Sequence, residues 1–290
     1  MFRRAGDDLI DRWDGTALVR TYTIGTRSIA YACTFESAGN ALIAHVTLED
    51  SFGRDEIKRL VRSMFVMPPA NFAHLVSSDR VVGALHARYP AVRSVRQSNL
   101  FNALLRCITT QQVNLRWAAT CRRRLAETFG RLHTVGSHSV YSLDPATIAA
   151  LKASDIRALQ LTTSKAEYII NVARALASGE LTIAILDRLT DEQIVARLTV
   201  IRGIGRWSAE WILARTLGRP RVVAGDLGVR KAVGLAYRDG LPPLESEVRR
   251  ITGHWGDSAT VVQALLLHAL AEKTLAIGAA ASNTRRGGST

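Results

Sequence analysis

The segment IRGIGRWSAEW, residues 201–211, places two glycines directly before the predicted start of a helix. Gly203 and Gly205 have no Cβ, so the backbone of this turn can come close to another molecule. The N–H groups at the start of a helix lack intrahelical partners, and together with the helix dipole they favour an anion. The pattern predicts a phosphate-binding hairpin, and an ordinary turn between two helices is the alternative.

Two tryptophans and an aspartate follow this turn. Trp207 and Trp211 are four residues apart, so they share one face of the predicted helix. Asp226 lies 19 residues after Trp207, follows Gly225 and begins another predicted helix. On the pattern alone, the aspartate is an N-cap and the tryptophans are core residues. A functional role for the three side chains therefore needs a further argument.

Helices are predicted on both sides of the hairpin. Thr190 and Gln193 have the spacing of a capping box before a helix that ends near Val200, and Gly218 ends the helix that begins near Trp207. Earlier in the chain, helix caps are predicted at Asn114 and Ser164. Residues 18–48 contain the β-rich stretches LVRTYTI, SIAYACTF and ALIAHVTL, and every segment after Pro69 is interpreted as helix. The sequence predicts a mainly α fold with an N-terminal α+β part.

The charge of the chain favours a polyanionic partner. The 290 residues carry a formal net charge of +13, mostly from arginine, whose planar fork suits phosphate. A solvated basic surface is the alternative, and the run Arg122–Arg124 is interpreted as such a helix face. The three cysteines form no CxxC pair, so neither a disulfide framework nor an iron–sulfur cluster is expected, and the cytoplasm is the expected compartment. The sequence contains no run of about 18 apolar residues, so no membrane-spanning helix is expected.

The stretch LTVIRGIGRWSAEW, followed by GRPRVVAGDLGVRKAV, resembles the helix-hairpin-helix, Gly/Pro-rich loop and aspartate of the HhH-GPD DNA glycosylase superfamily. Within it, the sequence is most similar to the 3-methyladenine DNA glycosylase II family. FNALLRCITTQQVNLRWAATCRRRLAETFG and LKASDIRALQLTTSKAEYIINVARALASGELT agree with that family. The resemblance implies a TATA-binding-protein-like N-terminal domain over residues 1–75 and an all-α region over 76–278. That region would form two helical lobes with an active-site cleft between them, and residues 279–290 are expected to be a disordered tail.

The resemblance also implies roles for individual residues. Asp226 matches the catalytic aspartate, which would stabilise the oxocarbenium-like transition state of glycosidic-bond cleavage. Trp207 and Trp211 match aromatic positions that line the pocket for a flipped-out base. Trp207 stands where bifunctional members of the superfamily carry a lysine nucleophile, so a monofunctional enzyme without lyase activity is expected.

Contacts with DNA are implied for the hairpin and for a second turn. The phosphate-binding amides match Gly203, Gly205 and Ser208, with Arg206 as a further contact. Gln112, with Gln111 beside it, matches the wedge that fills the gap left by the flipped base. Backbone carbonyls of Thr199, Ile201 and Gly203 are expected to hold a structural Na⁺ or K⁺, and no other cofactor is expected.

Two features depart from the family pattern. Arg202 occupies a position where the family often has proline, and the loop VVAGD before Asp226 lacks the usual proline. The implied function is removal of alkylated purines, such as 3-methyladenine and 7-methylguanine, from damaged double-stranded DNA in base excision repair. The protein is expected to be a monomer associated with the nucleoid. A non-catalytic helix-hairpin-helix DNA-binding module and a glycosylase for oxidised guanine are the alternatives.

Overall fold

Antiparallel strands near the N-terminus form a four-stranded sheet, as the β-rich stretches predict. The computed structural model describes residues 5–38 and 41–275, and the predicted disordered tail lies outside them. The strand order is β1-β2-β3-β4. The bounds of the strands are β1 Asp11–Trp13, β2 Ala17–Ile24, β3 Arg27–Ala38 and β4 Ala41–Leu48, with two short pairs elsewhere, β5 Phe65–Val66 with β6 Ser94–Val95 and β7 Arg131–Val135 with β8 His138–Ser142.

Helices make up most of the rest of the described chain, so the predicted mainly α fold with an N-terminal sheet is confirmed. None of the helices in residues 5–38 and 41–275 is long and apolar enough to span a membrane. The bounds of the helices are α1 Arg54–Arg62, α2 Phe72–Ser78, α3 Arg80–Arg88, α4 Leu100–Thr110, α5 Leu115–Phe129, α6 Pro145–Ala149, α7 Ala153–Arg157, α8 Thr163–Ala177, α9 Ile183–Asp187, α10 Asp191–Thr199, α11 Arg206–Ile212, α12 Leu227–Tyr237, α13 Glu245–Thr252 and α14 Ala259–Ala271, with a π-helical segment Leu213–Leu217 after α11 and a 3₁₀ segment Gly253–Ser258 before α14.

Side-chain caps begin the helices around the hairpin. Asn114 Oδ1 accepts a hydrogen bond from the backbone N–H of Trp117 at 2.8 Å and begins α5, as predicted. Thr190 and Gln193 form the predicted capping box at the start of α10, with bonds of 2.9 and 3.3 Å. The cap of α8 is Thr162 rather than the predicted Ser164, because the Thr162 hydroxyl is the one that accepts from the first turn.

Residues 131–142 differ from the prediction of helix. They form the hairpin β7–β8, with Gly136 at its turn in a left-handed conformation (φ of 57°). Val135 and Val140 are buried against Val19 and Ala32 of the four-stranded sheet. The hairpin is thus stabilised by apolar contacts with residues about 100 positions earlier, which the local sequence does not reveal.

Arg122 also differs from its interpretation as a solvated residue. Its side chain is 5% exposed, and its Nε lies 2.8 Å from the Asp8 carboxylate, which is equally buried. Its Nη1 donates to the Thr109 hydroxyl at 2.9 Å. A buried arginine is stable only with such partners, so the first residue of the RRR run holds the N-terminal segment on α4 and α5.

Contacts divide the described chain into two compact units. One contains Phe65–Arg96 and residues 213–275, and the other contains residues 5–38, 41–64 and Gln97–Ile212. The N-terminal sheet groups with the helices from α4 to α11, and the predicted domain boundary at residue 75 stays a prediction. In the first unit, Trp255 is 2% exposed and lies within the hydrophobic core.

Candidate active site

The predicted hairpin joins α10 and α11 through residues 200–205. The backbone N–H of Ile201 donates to Leu198 O at 3.1 Å, and that of Ile204 donates to Ile201 O at 3.0 Å, so the turn is tightly wound. The N–H of Ala209 donates to Gly205 O at 3.1 Å, so the first helical hydrogen bond of α11 is accepted by Gly205, the residue just before the helix. A helix-hairpin-helix is therefore present at the predicted position.

The two hairpin glycines serve different purposes. Gly203 has a φ of +99°, and a Cβ built on it would lie 2.1 Å from Tyr168 Cγ, so both its conformation and its packing require glycine. Gly205 is exposed, and a Cβ there would meet no atom within 4 Å. Only at Gly205 does the missing side chain leave the outer surface of the turn open to a ligand.

The first turn of α11 has one outward and one inward side chain. The Arg206 side chain is 60% exposed, and its Nε lies 3.2 Å from the buried Glu210 carboxylate one turn later. Ser208 is 2% exposed and hydrogen-bonds the buried Cys107 thiol, whose pKa burial raises to about 12. The Ser208 hydroxyl thus packs inward, and the predicted phosphate contact falls to its backbone N–H.

The tryptophans of α11 are half-buried. Trp207 and Trp211 have intermediate exposure, unlike their neighbours Ala209 and Ile212, which are fully buried. Their spacing places both on one face of α11. The two rings are therefore not simply core residues, and each keeps surface that another molecule can contact.

The second predicted DNA-contacting turn lies between α4 and α5. Gln112 is exposed at its tip and has a φ of +55°, a conformation that L-residues rarely adopt. Gln111 instead turns toward the hairpin, where its side-chain Nε2 donates to Gly203 O at 2.9 Å. The two glutamines, adjacent in sequence, thus have different surroundings.

Two of the three carbonyls expected to hold a monovalent cation accept hydrogen bonds. Ile201 O accepts from Ile204 N, and Gly203 O accepts from Gln111 Nε2. A carbonyl oxygen has two lone pairs, so a single hydrogen bond leaves each of these oxygens a second lone pair. The cation site stays a prediction. In the described ranges, no group of three or more His, Cys, Asp or Glu side chains is placed to hold a metal ion.

Asp226 begins α12, and its predicted role as an N-cap is confirmed. Its Oδ1 accepts from the backbone N–H of Val229 at 3.0 Å, and its side chain is partly exposed. The N–H groups and the dipole at a helix start favour a negative charge. Asp226 is therefore a carboxylate held in one orientation by the helix that follows it.

The loop before Asp226 is held by two buried polar residues of α14. The Gln263 side-chain Oε1 accepts from the backbone N–H of Val223 at 2.7 Å. The Thr260 hydroxyl donates to Arg219 O at 2.6 Å and accepts from Arg221 N at 3.1 Å. These bonds restrain a loop that lacks the family's usual proline. In the sequence, the sign of such a bond is the polar residue Gln263 within the apolar run VVQALLL.

The helix-hairpin-helix and the helix-capping aspartate thus lie at the positions that the resemblance to helix-hairpin-helix proteins implies. Residues 105–261 match the family described as HhH-GPD superfamily base excision DNA repair protein. The match covers more than half of the chain, and the chain belongs to this family.

Among its relatives is the putative DNA-3-methyladenine glycosylase YfjP of Bacillus subtilis, 31% identical over 180 residues. The alignment covers 61% of this chain and 61% of YfjP, so the chain spans about three fifths of that relative.

Two solved structures share the fold. The 3-methyladenine DNA glycosylase from Archaeoglobus fulgidus has a TM-score of 0.77 at 23% identity, covering 90% of this chain and 89% of its own. The 8-oxoguanine glycosylase/lyase of Clostridium acetobutylicum, in complex with double-stranded DNA, has a TM-score of 0.68 at 16% identity, covering 90% and 87%. One of these two proteins is named a glycosylase and the other a glycosylase/lyase. The fold alone therefore does not indicate whether a protein of this shape has lyase activity.

Proposed function

We propose that this protein is a monofunctional DNA N-glycosylase that removes alkylated purines, such as 3-methyladenine and 7-methylguanine, from double-stranded DNA in base excision repair. The observation that carries the proposal is a partly exposed carboxylate, Asp226, fixed at the start of α12, in a chain with a tryptophan at position 207. The name of the Bacillus subtilis relative, a putative DNA-3-methyladenine glycosylase, supports the substrate class.

The hairpin supplies affinity that does not depend on base sequence. Backbone N–H groups at Gly203, Gly205 and Ser208 bind a phosphate at the open surface of the turn, and the exposed Arg206 adds charge. Neutralising phosphates releases counterions, so binding weakens steeply with salt. A Na⁺ or K⁺ held by the carbonyls of Thr199, Ile201 and Gly203 would add a positive charge there, and no chemical step requires it.

The base must leave the duplex before it reacts. Flipping costs a few kcal/mol of stacking and pairing energy, less for a damaged base, and Gln112 fills the gap that remains. The exposed faces of Trp207 and Trp211 stack on the flipped base. Alkylation at N3 or N7 puts a positive charge on the purine ring, which an aromatic face attracts by about 0.5–2 kcal/mol.

The chemical step is hydrolysis at C1′. The C1′–N bond breaks, and its electron pair leaves with the base, which becomes neutral. Positive charge develops on the sugar, and the Asp226 carboxylate stabilises it. A water molecule then adds to C1′ and releases one proton to the solvent, giving an abasic site. The charge on an alkylated base makes it a good leaving group, so weak recognition is sufficient.

Trp207 is the reason for excluding strand cleavage from the proposal. A lyase in this superfamily attacks C1′ with a lysine amine and forms a Schiff base. An indole ring cannot form that intermediate. The fold shared with an 8-oxoguanine glycosylase/lyase makes that activity the second candidate, and Trp207 argues against it. The protein is proposed to act as a monomer in the nucleoid.

The test is incubation of the protein with DNA treated with a methylating agent, followed by chromatography of the released bases. The proposal predicts free 3-methyladenine and 7-methylguanine. If DNA is bound but no base appears, the protein is a non-catalytic helix-hairpin-helix module.

A further inference from the structure

The turn that carries Gln112 is hydrogen-bonded to the phosphate-binding hairpin. Gln111 follows the last residue of α4, and its side-chain Nε2 donates to Gly203 O at 2.9 Å across 92 residues of sequence. Because the bond joins a side chain to a backbone carbonyl, it depends on the position of the hairpin and on a donor at residue 111.

The carbonyl that accepts this bond has a fixed position. Gly203 packs on the ring of Tyr168 so closely that a Cβ would lie 2.1 Å from its Cγ. Arg202 next to it lies over the same ring at 5.9 Å and pairs with Glu167 at 3.3 Å. Helix α8, which carries Glu167 and Tyr168, thus supports the hairpin from beneath.

The turn itself is anchored at both ends and exposed between them. At its start, Lys165 Nζ donates to Thr109 O at 3.1 Å, and at its end, Asn114 caps α5. Gln112 lies between these anchors, exposed and in a left-handed conformation. The hydrogen bond of Gln111 fixes the residue immediately before it.

We infer that Gln111 is a positioning residue that acts through Gln112, and this inference rests on the proposed function. Its hydrogen bond to Gly203 sets the distance between the phosphate anchor and the wedge. When the hairpin binds the DNA backbone, the Gln112 side chain is therefore presented to the base stack at a defined position. Gln111 acts during base flipping and does not contact the reacting atoms.

The test replaces Gln111 with methionine, which has similar length and no donor. Loss of one hydrogen bond predicts a fall in the single-turnover excision rate of about five- to tenfold for a lesion in a stable pair. The fall is smaller for the same lesion opposite an abasic gap, where little flipping is required. Fluorescence of a 2-aminopurine beside the lesion reports unstacking independently of base release, and it falls in parallel.

A double-mutant cycle with Gln112→Ala identifies the route of the effect. If Gln111 acts through the wedge, Gln111→Met has less than a twofold further effect in the Gln112→Ala protein. Gln160→Met is the matched control, because it removes a glutamine side-chain hydrogen bond, the one that Gln160 Oε1 accepts from Arg124 Nη1 at 2.7 Å, which involves neither the turn nor the hairpin. This control leaves unchanged the ratio of the excision rate for the paired lesion to the excision rate for the lesion opposite an abasic gap.

Additive effects in the cycle, or equal losses for paired and unpaired lesions, would overturn the inference and leave Gln111 as a support of the hairpin. If Gln111→Met does not fold, Gln111→Glu replaces the donor amide with a carboxylate and serves instead. Failure of the proposed function is distinguishable, because wild-type protein would then release no base. In that case the 2-aminopurine signal still decides whether Gln111 affects unstacking.

Discussion

Asp226→Asn separates the two roles of this side chain. Asparagine is also a good N-cap, so its side-chain oxygen can still accept from Val229 N–H, a bond of 3.0 Å in the native protein. Removing the charge from the helix start costs about 0.3–1 kcal/mol of unfolding free energy. Losing the carboxylate at the developing sugar cation costs on the order of 3–4 kcal/mol, a factor of about 10²–10³ in rate. The variant should fold, bind DNA and release bases far more slowly.

The assay is single-turnover excision from a duplex with one 7-methylguanine, with binding and thermal unfolding measured in parallel. Asp144→Asn is the matched control, because Asp144 caps α6 by accepting from Ala146 N and Thr147 N at 3.3 and 3.2 Å. It should lose similar stability and keep the excision rate. Excision by Asp226→Asn within a few-fold of wild type would refute the catalytic role and leave Asp226 as a cap.

Three further substitutions test other parts of the site. Gly205→Val should weaken binding to any duplex about equally, because it fills the open surface of the hairpin. The control Gly253→Val, at another glycine with open space around it, should leave duplex affinity unchanged, and a Gly205→Val protein that bound as tightly as wild type would contradict the phosphate anchor. Trp211→Ala should slow release of 3-methyladenine and 7-methylguanine without unfolding the protein, and a wild-type preference for hypoxanthine or 8-oxoguanine over these cationic bases would contradict the stacking argument. Gln263→Leu leaves the buried Val223 N–H without its acceptor; excision should fall more than duplex affinity, and parallel losses would mean that the residue only stabilises the fold.

Local patterns in the sequence predicted the elements that carry the site. The capping box at Thr190, the cap at Asn114 and the aspartate cap of α12 depend on residues three positions apart, so they are visible without the fold. The helix-hairpin-helix was predicted from another local pattern, the two glycines directly before a helix start. The sequence does not show, however, that glycine is needed at position 203 for a different reason than at position 205. Gly203 packs against Tyr168, which lies on another helix.

Contacts between distant segments were not predictable from one sequence. The bond from Gln111 to Gly203 spans 92 residues, and the bond from Gln263 to Val223 spans 40. Arg122 was interpreted as solvated because its partner, Asp8, lies 114 residues away. A charged or amide side chain has the same local signal whether water or a distant buried partner satisfies it.

The most direct test is to follow a 5′-labelled duplex with one 7-methylguanine while measuring released base and strand breaks in the same reaction. Hydrolysis assisted by Asp226, with tryptophan in place of a lysine nucleophile, predicts free 7-methylguanine and an intact strand that breaks at the lesion only after alkali. Strand breaks that accumulate with base release before alkali would contradict the monofunctional mechanism, and binding without base release would contradict the assignment as a glycosylase.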